Sequence, residues 1–423
     1  MKVLIIGGGG REHAIAWKLA QSPYADKILC APGNAGIAQV AECIAVDPED
    51  PQALAALARA ERPDLVVVGS EVPLARGVTD LIEAEGIPVF GPNKKCAQLE
   101  ASKSFTKAFL ARHGIPTARY REFTDKSELL AHIGLFGFPM VLKADGLAAG
   151  KGVVLAADAE TARQAIEEMM GERVFGSAGD RIVVEECLIG VEASMLCFVD
   201  GSGIFPMESA QDYKRIRDHD EGPNTGGMGT YSPSLVIDDV LMAQIKDRIL
   251  TPTFAGFKAD GLDFRGVLFV GLMLTADGPK VIEFNNRFGD PETQSVLPRL
   301  RTDLLEVFRA ACENRLSTLS LEWSEKRAVT VVLASGGYPG SYEKGKVISG
   351  LDETDPDVII FHAGTKNGEN SEILTAGGRV LGVTAIGATH EEARRKAYER
   401  VKKIHFEGVQ YRTDIGVVYE QKN

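Results

Sequence analysis

Four short apolar runs recur through the first 92 residues, at positions 3–6, 28–30, 65–68 and 89–90, and segments with helical character separate them. This alternation constrains the fold more than any other feature of the chain. Short apolar runs bounded by turn residues are buried strands, and strands alternating with helices pair in parallel with the helices covering both faces. Leu74, Val78, Leu81 and Ile82 fall at i, i+4, i+7 and i+8, which predicts one of those helices. The turns after the four runs, "GGGGREH", "APGNAG", "GSEVPLA" and "GPN", then gather at the carboxyl ends of the strands, where open sheets bind ligands. The first turn, with Gly9, Gly10 and Arg11, suits a phosphate held at a helix N-terminus. It is not a dinucleotide fingerprint. In the frame G-x-G-x-x-G the third glycine falls on Glu12 or His13, and Ala31-Pro32-Gly33 after the second run offers no carboxylate for a ribose.

At 423 residues the chain exceeds what one core serves, so several domains are expected. The pattern breaks near residues 92–101, and a helix over 102–113 with Phe105, Phe109 and Leu110 facing inward opens a second unit. A strand ending "FPMVLKADG", a turn "GLAAGKG", a strand "VVLA", a helix near 161–170 and a strand "RIVVEECL" follow, reading as a small α+β lid over about 123–190. Residues 211–232 are polar and aperiodic and predict a long loop; loops of that length are uncommon unless functional. Strands over 266–274 and 279–285 come next, and "AVTVVLAS" begins a third unit that ends in a helix near 390–406. The expected division is a Rossmann-like α/β domain over 1–101, a core with the lid over 102–325, and a small α+β domain over 326–423.

Net charge bears on partners. At −12 the chain lacks the cations a nucleic-acid surface requires, so any anion must be held by local donors. Six cysteines without C-x-x-C spacing suggest neither a zinc knuckle nor a disulfide framework. Four apolar residues before the glycines are too few for a signal peptide, and no run approaches membrane-spanning length. A cytoplasmic protein without nucleic-acid or membrane partners is expected.

The run most informative about chemistry is "VIEFNNRFGDPETQ", residues 281–294. On a strand, Glu283, Asn285 and Arg287 share one face while Ile282 and Phe284 point into a core. A carboxylate and an amide oxygen so spaced can ligate Mg²⁺ beside substrate phosphates, and an arginine can offset charge on a transferred phosphoryl group. A solvated strand edge with a Glu–Arg pair would read the same, so context decides. Lys143 ends a strand and Lys151 lies eight residues on, in "AAGKG", where small residues let N–H groups approach phosphate oxygens. Gly152 after Lys151 rules out a Walker loop. Residues 185–188 leave a buried strand where backbone groups could meet an adenine, with Glu192 placed for a ribose. Asp212, Lys214, Asn224 and Thr225 stand in the long polar stretch beside Gly226-Gly227. No nucleophile–base pair and no strong general base emerges, which agrees with phosphoryl transfer, a reaction that asks mainly for positioning, cations and metal.

Taken together, "VLIIGGGGREHAIAWKL", "PGNAG", "KADGLAAGKGV", "GPNTGGMGTYSP", "EFNNRFGDPETQ", "VVLASGGYPGSYEKG", "FHAGT", "GGRVLGVTA" and "YRTDIG" resemble, in order and over nearly the whole length, the glycinamide ribonucleotide synthetases, ATP-grasp ligases of purine biosynthesis. The resemblance implies a Rossmann-like pre-ATP-grasp domain, an ATP-grasp core with a mobile lid and a C-terminal domain. It implies joining of glycine to 5-phosphoribosylamine through a glycyl phosphate, with ATP and Mg²⁺ or Mn²⁺, by a monomer or weak homodimer. Carried over by position, Glu283 and Asn285 match the metal pair, and Lys103 and Lys143 the nucleotide-phosphate lysines. Glu185, Glu186 and Leu188 match the adenine hinge, Glu192 the ribose carboxylate, and Gly150 and Lys151 a loop closing over the phosphates. Gly9, Gly10, Arg11 and Asn34 fall where the family binds phosphoribosylamine. Asp212, Lys214, Asn224, Arg287 and Asp290 are the remaining substrate candidates, with Arg287, Lys143 and Lys151 those expected to act on the reacting groups. The chain departs from the family pattern at Ser70, Tyr213 and His219.

Overall fold

A computed structural model describes residues 1–148 and 152–417. The strands Lys2–Gly7, Lys27–Pro32, Glu42–Cys43, Leu65–Val68 and Val89–Phe90 form an all-parallel sheet whose order is third, second, first, fourth, fifth. Chain order reverses between the first and fourth strands, which opens the ligand crevice of a doubly wound sheet beyond Gly7 and Val68. Burial on both faces follows from the strand period of two. Val3 and Ile5 pack toward Phe198, Phe288 and Phe308, whereas Leu4 and Ile6 pack toward Leu54, Leu74 and Ile82. The helix expected around 74–82 is two short helices, Glu71–Ala75 and Val78–Glu83, separated at Gly77 with φ +86°. Leu74, Val78 and Ile82 are buried as the spacing requires, but Leu81 is exposed.

The break near 92–101 holds a further helix, Lys94–Ala101, before Lys103–Arg112. Ser102 caps the second of these, its Oγ accepting the Phe105 N–H at 3.0 Å. An antiparallel sheet forms the centre of the molecule, with Gly203–Pro206, Val191–Asp200, Gly266–Thr275 and Gly278–Asn285 in that order. One face carries Leu196, Phe198 and Phe269 against the N-terminal sheet; the other carries Met195, Val270 and Phe284 against Phe109, Ile249 and Phe257. The lid is a second antiparallel sheet, ordered Tyr120–Phe123, Ile182–Glu186, Met140–Ala144, Val153–Ala156. Its outer face is sealed by Leu129, Ala162 and Ile166.

Residues 211–232 are not the loop their composition suggested. Gln211–Asp212 and Gly229–Ser232 are strands, and Arg215–Arg217 pairs with Glu221–Asn224 as a hairpin. Gly229–Ser232 pairs with Arg327–Ala334, which continues to Arg379–Gly387 and Val358–His362 in one five-stranded antiparallel sheet under the helix His390–Val401. Glycines and hydroxyl residues hide these strands from an apolar pattern, because their partner is supplied a hundred residues later. Tyr213 belongs to this region's core, its Oη donating to Val417 O at 2.8 Å and accepting from the Gly416 N–H at 3.0 Å. Among the described residues no helix is long and apolar enough to cross a membrane.

Candidate active site

The Gly7–Gly10 turn is shaped around one carboxylate. Glu12 folds back to accept the Gly9 N–H at 2.6 Å and Arg11 Nε at 2.7 Å, reciprocating the helix start as a capping glutamate does. A β-carbon at Gly7 or Gly69 would lie 2.7 or 2.1 Å from that side chain, so glycine is needed at both positions. Asn34 is fully engaged as well. Its Nδ2 donates to Gly8 O and His362 O, and its Oδ1 accepts from the Gly36 and Ile37 N–H groups. It therefore ties the second turn to the first and to the C-terminal domain. His13 is buried and accepts the His362 N–H at 2.8 Å; burial and its neighbour His362 push its pKa down to about 3, and burial pushes that of His362 down to about 4. Both imidazoles are structural.

From this turn a line of alternating charges runs to the central sheet. Arg11 donates to Phe288 O and lies 3.9 Å from Glu71; Arg287 lies 3.5 Å from Glu71 and 3.1 Å from Glu100. Arg287 Nη2 also donates to Asn285 Oδ1 at 3.3 Å, and Asn285 Nδ2 donates to Glu283 Oε1 at 3.2 Å. Ile282 does not point into the core as strict alternation predicted. The ladder slips by one residue, with Gly271 opposite Glu283 and Leu272 opposite Val281, so Ile282 is the extra residue of a bulge and faces the cavity. Val281 and Phe284 remain in the core, and Glu283 and Asn285 stay hydrogen-bonded to each other, with Glu283 in the field of the cavity lysines Lys143 and Lys214.

A cavity of about 630 Å³ separates the lid from the central sheet, within the roughly 300–1,000 Å³ usual for small-molecule sites. Val141, Val153, Leu155 and Leu188 give it an apolar end, while Lys143, Glu192, Asp212 and Lys214 line the remainder. Lys143 Nζ donates to Ile282 O at 3.1 Å and lies 2.9 Å from Glu185 Oε1. The Glu185 carboxylate is buried against lysines, so what the hinge offers a ligand is backbone. Glu186 is held outward by Arg119 at 2.6 Å. Lys103 donates to Gly146 O, and Asn224 stands exposed on the hairpin rim. Gly150 and Lys151 lie outside the described residues.

Two acids that sequence reasoning did not single out as a pair meet here. Asp212, with Lys214 Nζ at 2.8 Å, faces Glu292, which accepts the Ser194 hydroxyl at 3.2 Å. Burial raises both above the usual carboxylate range, Asp212's charge adding to the rise at Glu292. Glu283 behaves oppositely: against the pull of burial, Lys214, Lys143 and Lys103 hold it below that range. Asp290 accepts from Gln294 at 2.8 Å and lies 3.5 Å from Arg379, whose other nitrogen donates to Asp290 O and Gly226 O. Glu12, Arg379 and Glu292 were absent from the sequence-derived set. Glu12 had a signal in its capping spacing; Arg379 and Glu292 acquire meaning only when the C-terminal sheet is folded against the core.

The donor set suits a hard cation. Glu283 and Asn285 supply two oxygens, the amide oxygen bearing only a long contact from Arg287, and among the described residues no group of three or more His, Cys, Asp or Glu forms an all-protein metal cage. Mg²⁺ or Mn²⁺ held by one or two protein oxygens and completed by phosphates and water fits such a site.

Comparison with known proteins agrees with this arrangement. Family models for the N domain, the ATP-grasp (A) domain and the C domain of phosphoribosylglycinamide synthetase match residues 1–100, 101–293 and 328–418. The chain is 50% identical to a phosphoribosylamine–glycine ligase of Escherichia coli K12 over 98% of both chains, and 48% identical to one of Caldanaerobacter subterraneus over 99% of this chain and all of that one. A solved phosphoribosylamine–glycine ligase from Thermotoga maritima superposes with a TM-score of 0.85 at 35% identity, covering 98% of this chain and 100% of that one. A biotin carboxylase from Campylobacter jejuni shares the fold at 14% identity, with a TM-score of 0.76 over 97% of this chain and 92% of that one. By full-length similarity in sequence and structure, the chain belongs to the phosphoribosylglycinamide synthetase family.

Proposed function

We propose that the chain joins glycine to 5-phosphoribosylamine at the expense of ATP, giving glycinamide ribonucleotide, ADP and phosphate. One observation supports this reading most directly: Glu283 interacts with the charges of Lys143 and Lys214, which line the cavity, and hydrogen bonds through Asn285 to Arg287 join it to the line of charges leading to the N-terminal turns. Adenine packs in the apolar end against the hinge backbone of 185–188, with Glu192 at the ribose. Lys143 and Lys103 meet the phosphates. A divalent cation, Mg²⁺ or Mn²⁺, would be held by Glu283 and Asn285 and would neutralise phosphate charge.

The glycine carboxylate oxygen attacks the γ-phosphorus, the bond to the β-phosphate oxygen breaks, and ADP leaves. The amine nitrogen of phosphoribosylamine then attacks the acyl carbon, phosphate departs, and the nitrogen gives up a proton. Arg287, Asp212, Lys214 and Asp290 seat glycine and the amine where the charge line meets the cavity; Gly9, Gly10 and Arg11 border the ribose phosphate. The lid keeps water from the acyl phosphate. Phosphate release measured with ATP, glycine and freshly generated phosphoribosylamine, omitting each in turn, tests this function. Release at the full rate with a different acid or amine in place of these substrates would overturn it.

A further inference from the structure

Lys107 has no part in the chemistry above, yet it is among the most deeply buried cations in the protein, with its side chain 3% exposed. It sits one turn after Lys103 on the helix Lys103–Arg112 and points under the lid sheet. Its ammonium lies 3.1 Å from Glu185 Oε2 and donates to Thr117 Oγ1 at 2.8 Å and Ala118 O at 3.4 Å. Thr117 passes the link on, donating to Val281 O at 2.7 Å. The other oxygen of Glu185 faces Lys143. Two lysines thus converge on one buried carboxylate, and the cluster is tied to consecutive carbonyls, Val281 and Ile282, of the strand that carries Glu283.

The charge count gives this arrangement a purpose. Lys143 paired with Glu185 alone would be a neutral couple and a poor partner for a triphosphate. A buried lysine on the far side of Glu185 restores a net positive charge, and the Lys143 contact with Glu185 lacks an aligned hydrogen bond, since Glu185 Oε1 has none. Lys143, which donates to Ile282 O and lines the cavity, can then address a phosphate with its remaining N–H groups while Lys107 neutralises the acid. We infer that Lys107 is a positioning residue for ATP binding, which takes up the charge of Glu185 so that Lys143 keeps its own for the nucleotide phosphates. The inference rests on the proposed placement of Lys143 at the phosphates.

Titration adds a readout. Burial pushes Lys107 down to about 8; Glu185 opposes that fall, Lys143 adds to it, and Glu186 opposes it more weakly. The Tyr120 ring lies 5.6 Å from the ammonium. As pH rises through about 8 in the free enzyme, Lys107 loses its proton and the cluster becomes neutral, so kcat/KM for ATP falls. Bound triphosphate favours the protonated form, so the kcat limb lies at higher pH.

The test compares Lys107→Met, Lys143→Met and the double variant Lys107→Met/Glu185→Gln, with KM for ATP, kcat and the pH profile of kcat/KM measured for each. Lys107→Met is expected to raise KM for ATP by about tenfold or more, the order seen when a residue supporting a ligand-binding group is lost, and to abolish the alkaline limb. The double variant restores the net charge and is expected to recover most of the loss, which a merely structural role would not do. Unchanged KM in Lys107→Met, or a double variant no better than the single, overturns the inference. If Lys107→Met does not fold, the double variant decides: ATP affinity near wild type supports the inference, and a loss as large as that of Lys143→Met overturns it. Lys143→Met with unchanged KM for ATP instead removes the placement on which the inference stands, so the two failures are distinguishable.

Discussion

Replacing Glu283 by glutamine changes one charge and almost no shape. An amide oxygen can still accept from Asn285 Nδ2 at 3.2 Å, so the bulged strand and its core residues Val281 and Phe284 are undisturbed. What disappears is the single negative charge of the proposed metal pair, which Lys214, Lys143 and Lys103 face. Loss of one preorganised electrostatic group at a reacting phosphoryl costs about 10²–10³ in kcat, or about 3–4 kcal/mol of transition-state stabilisation. ADP release at saturating ATP, glycine and phosphoribosylamine, repeated across a metal titration, should show that drop together with a weaker apparent metal affinity. Stability gives a second check. The folded-state pKa of Glu283 lies below its unfolded value, so its contribution is present above the unfolded value of about 4.3 and is lost as pH falls through the folded one. Wild type should therefore exceed the glutamine variant in stability at neutral pH, and the two should converge in acid. Turnover within about fivefold of wild type at every metal concentration would refute the assignment, since a group worth 10² or more cannot be missing at that cost.

Other perturbations follow from the same geometry. Gly69→Ala places a β-carbon 2.1 Å from Glu12 Oε1, displacing a buried carboxylate that holds Gly9 and Arg11; a loss of about 2–3 kcal/mol in urea unfolding and a raised KM for phosphoribosylamine are expected. Burial holds the pKa values of His13 and His362 in the fold down at about 3 and about 4, so the unfolded chain binds more protons below its usual histidine value of about 6.5, and stability falls as pH drops from there toward 4. His13→Gln should flatten that slope in denaturant midpoints measured from pH 7 to 4.5. Phe90 stacks on Phe308 at 4.2 Å between the N-terminal sheet and the core, and Phe90→Ala should cost about 3–5 kcal/mol in the same assay.

Legibility in the sequence divided along a physical line. Where a residue's neighbours are its own strand or turn, pattern was enough: the parallel sheet, the lid strands around Lys143, and the common face of Glu283 and Asn285 follow from local periodicity. Where a distant segment supplies the partner, pattern failed. Ile282 turns toward the cavity because of a register slip opposite Gly271 and Leu272, which nothing in residues 281–285 announces. Gly229–Ser232 is a strand because Arg327–Ala334 pairs with it. Nothing in the residues around Lys107 marks it, and only burial beside Glu185 gives it a role. Arg379 reaches Asp290 and Gly226 from a motif that has no charge partner in its own surroundings.

The five-stranded sheet that joins 211–232 to 327–387 also limits how this polypeptide can be divided. Translation completes Tyr231 long before Val329 exists to pair with it, so during synthesis the emerging strand waits with an open edge. A shortened product ending before Arg327 would keep that edge permanently and would leave Tyr213 and Tyr231 without Val331, Val383 and Ala393 to cover them. Such a product should recover solubility only when the missing segment is supplied in trans during folding, because the final hundred residues complete the ligase's own core.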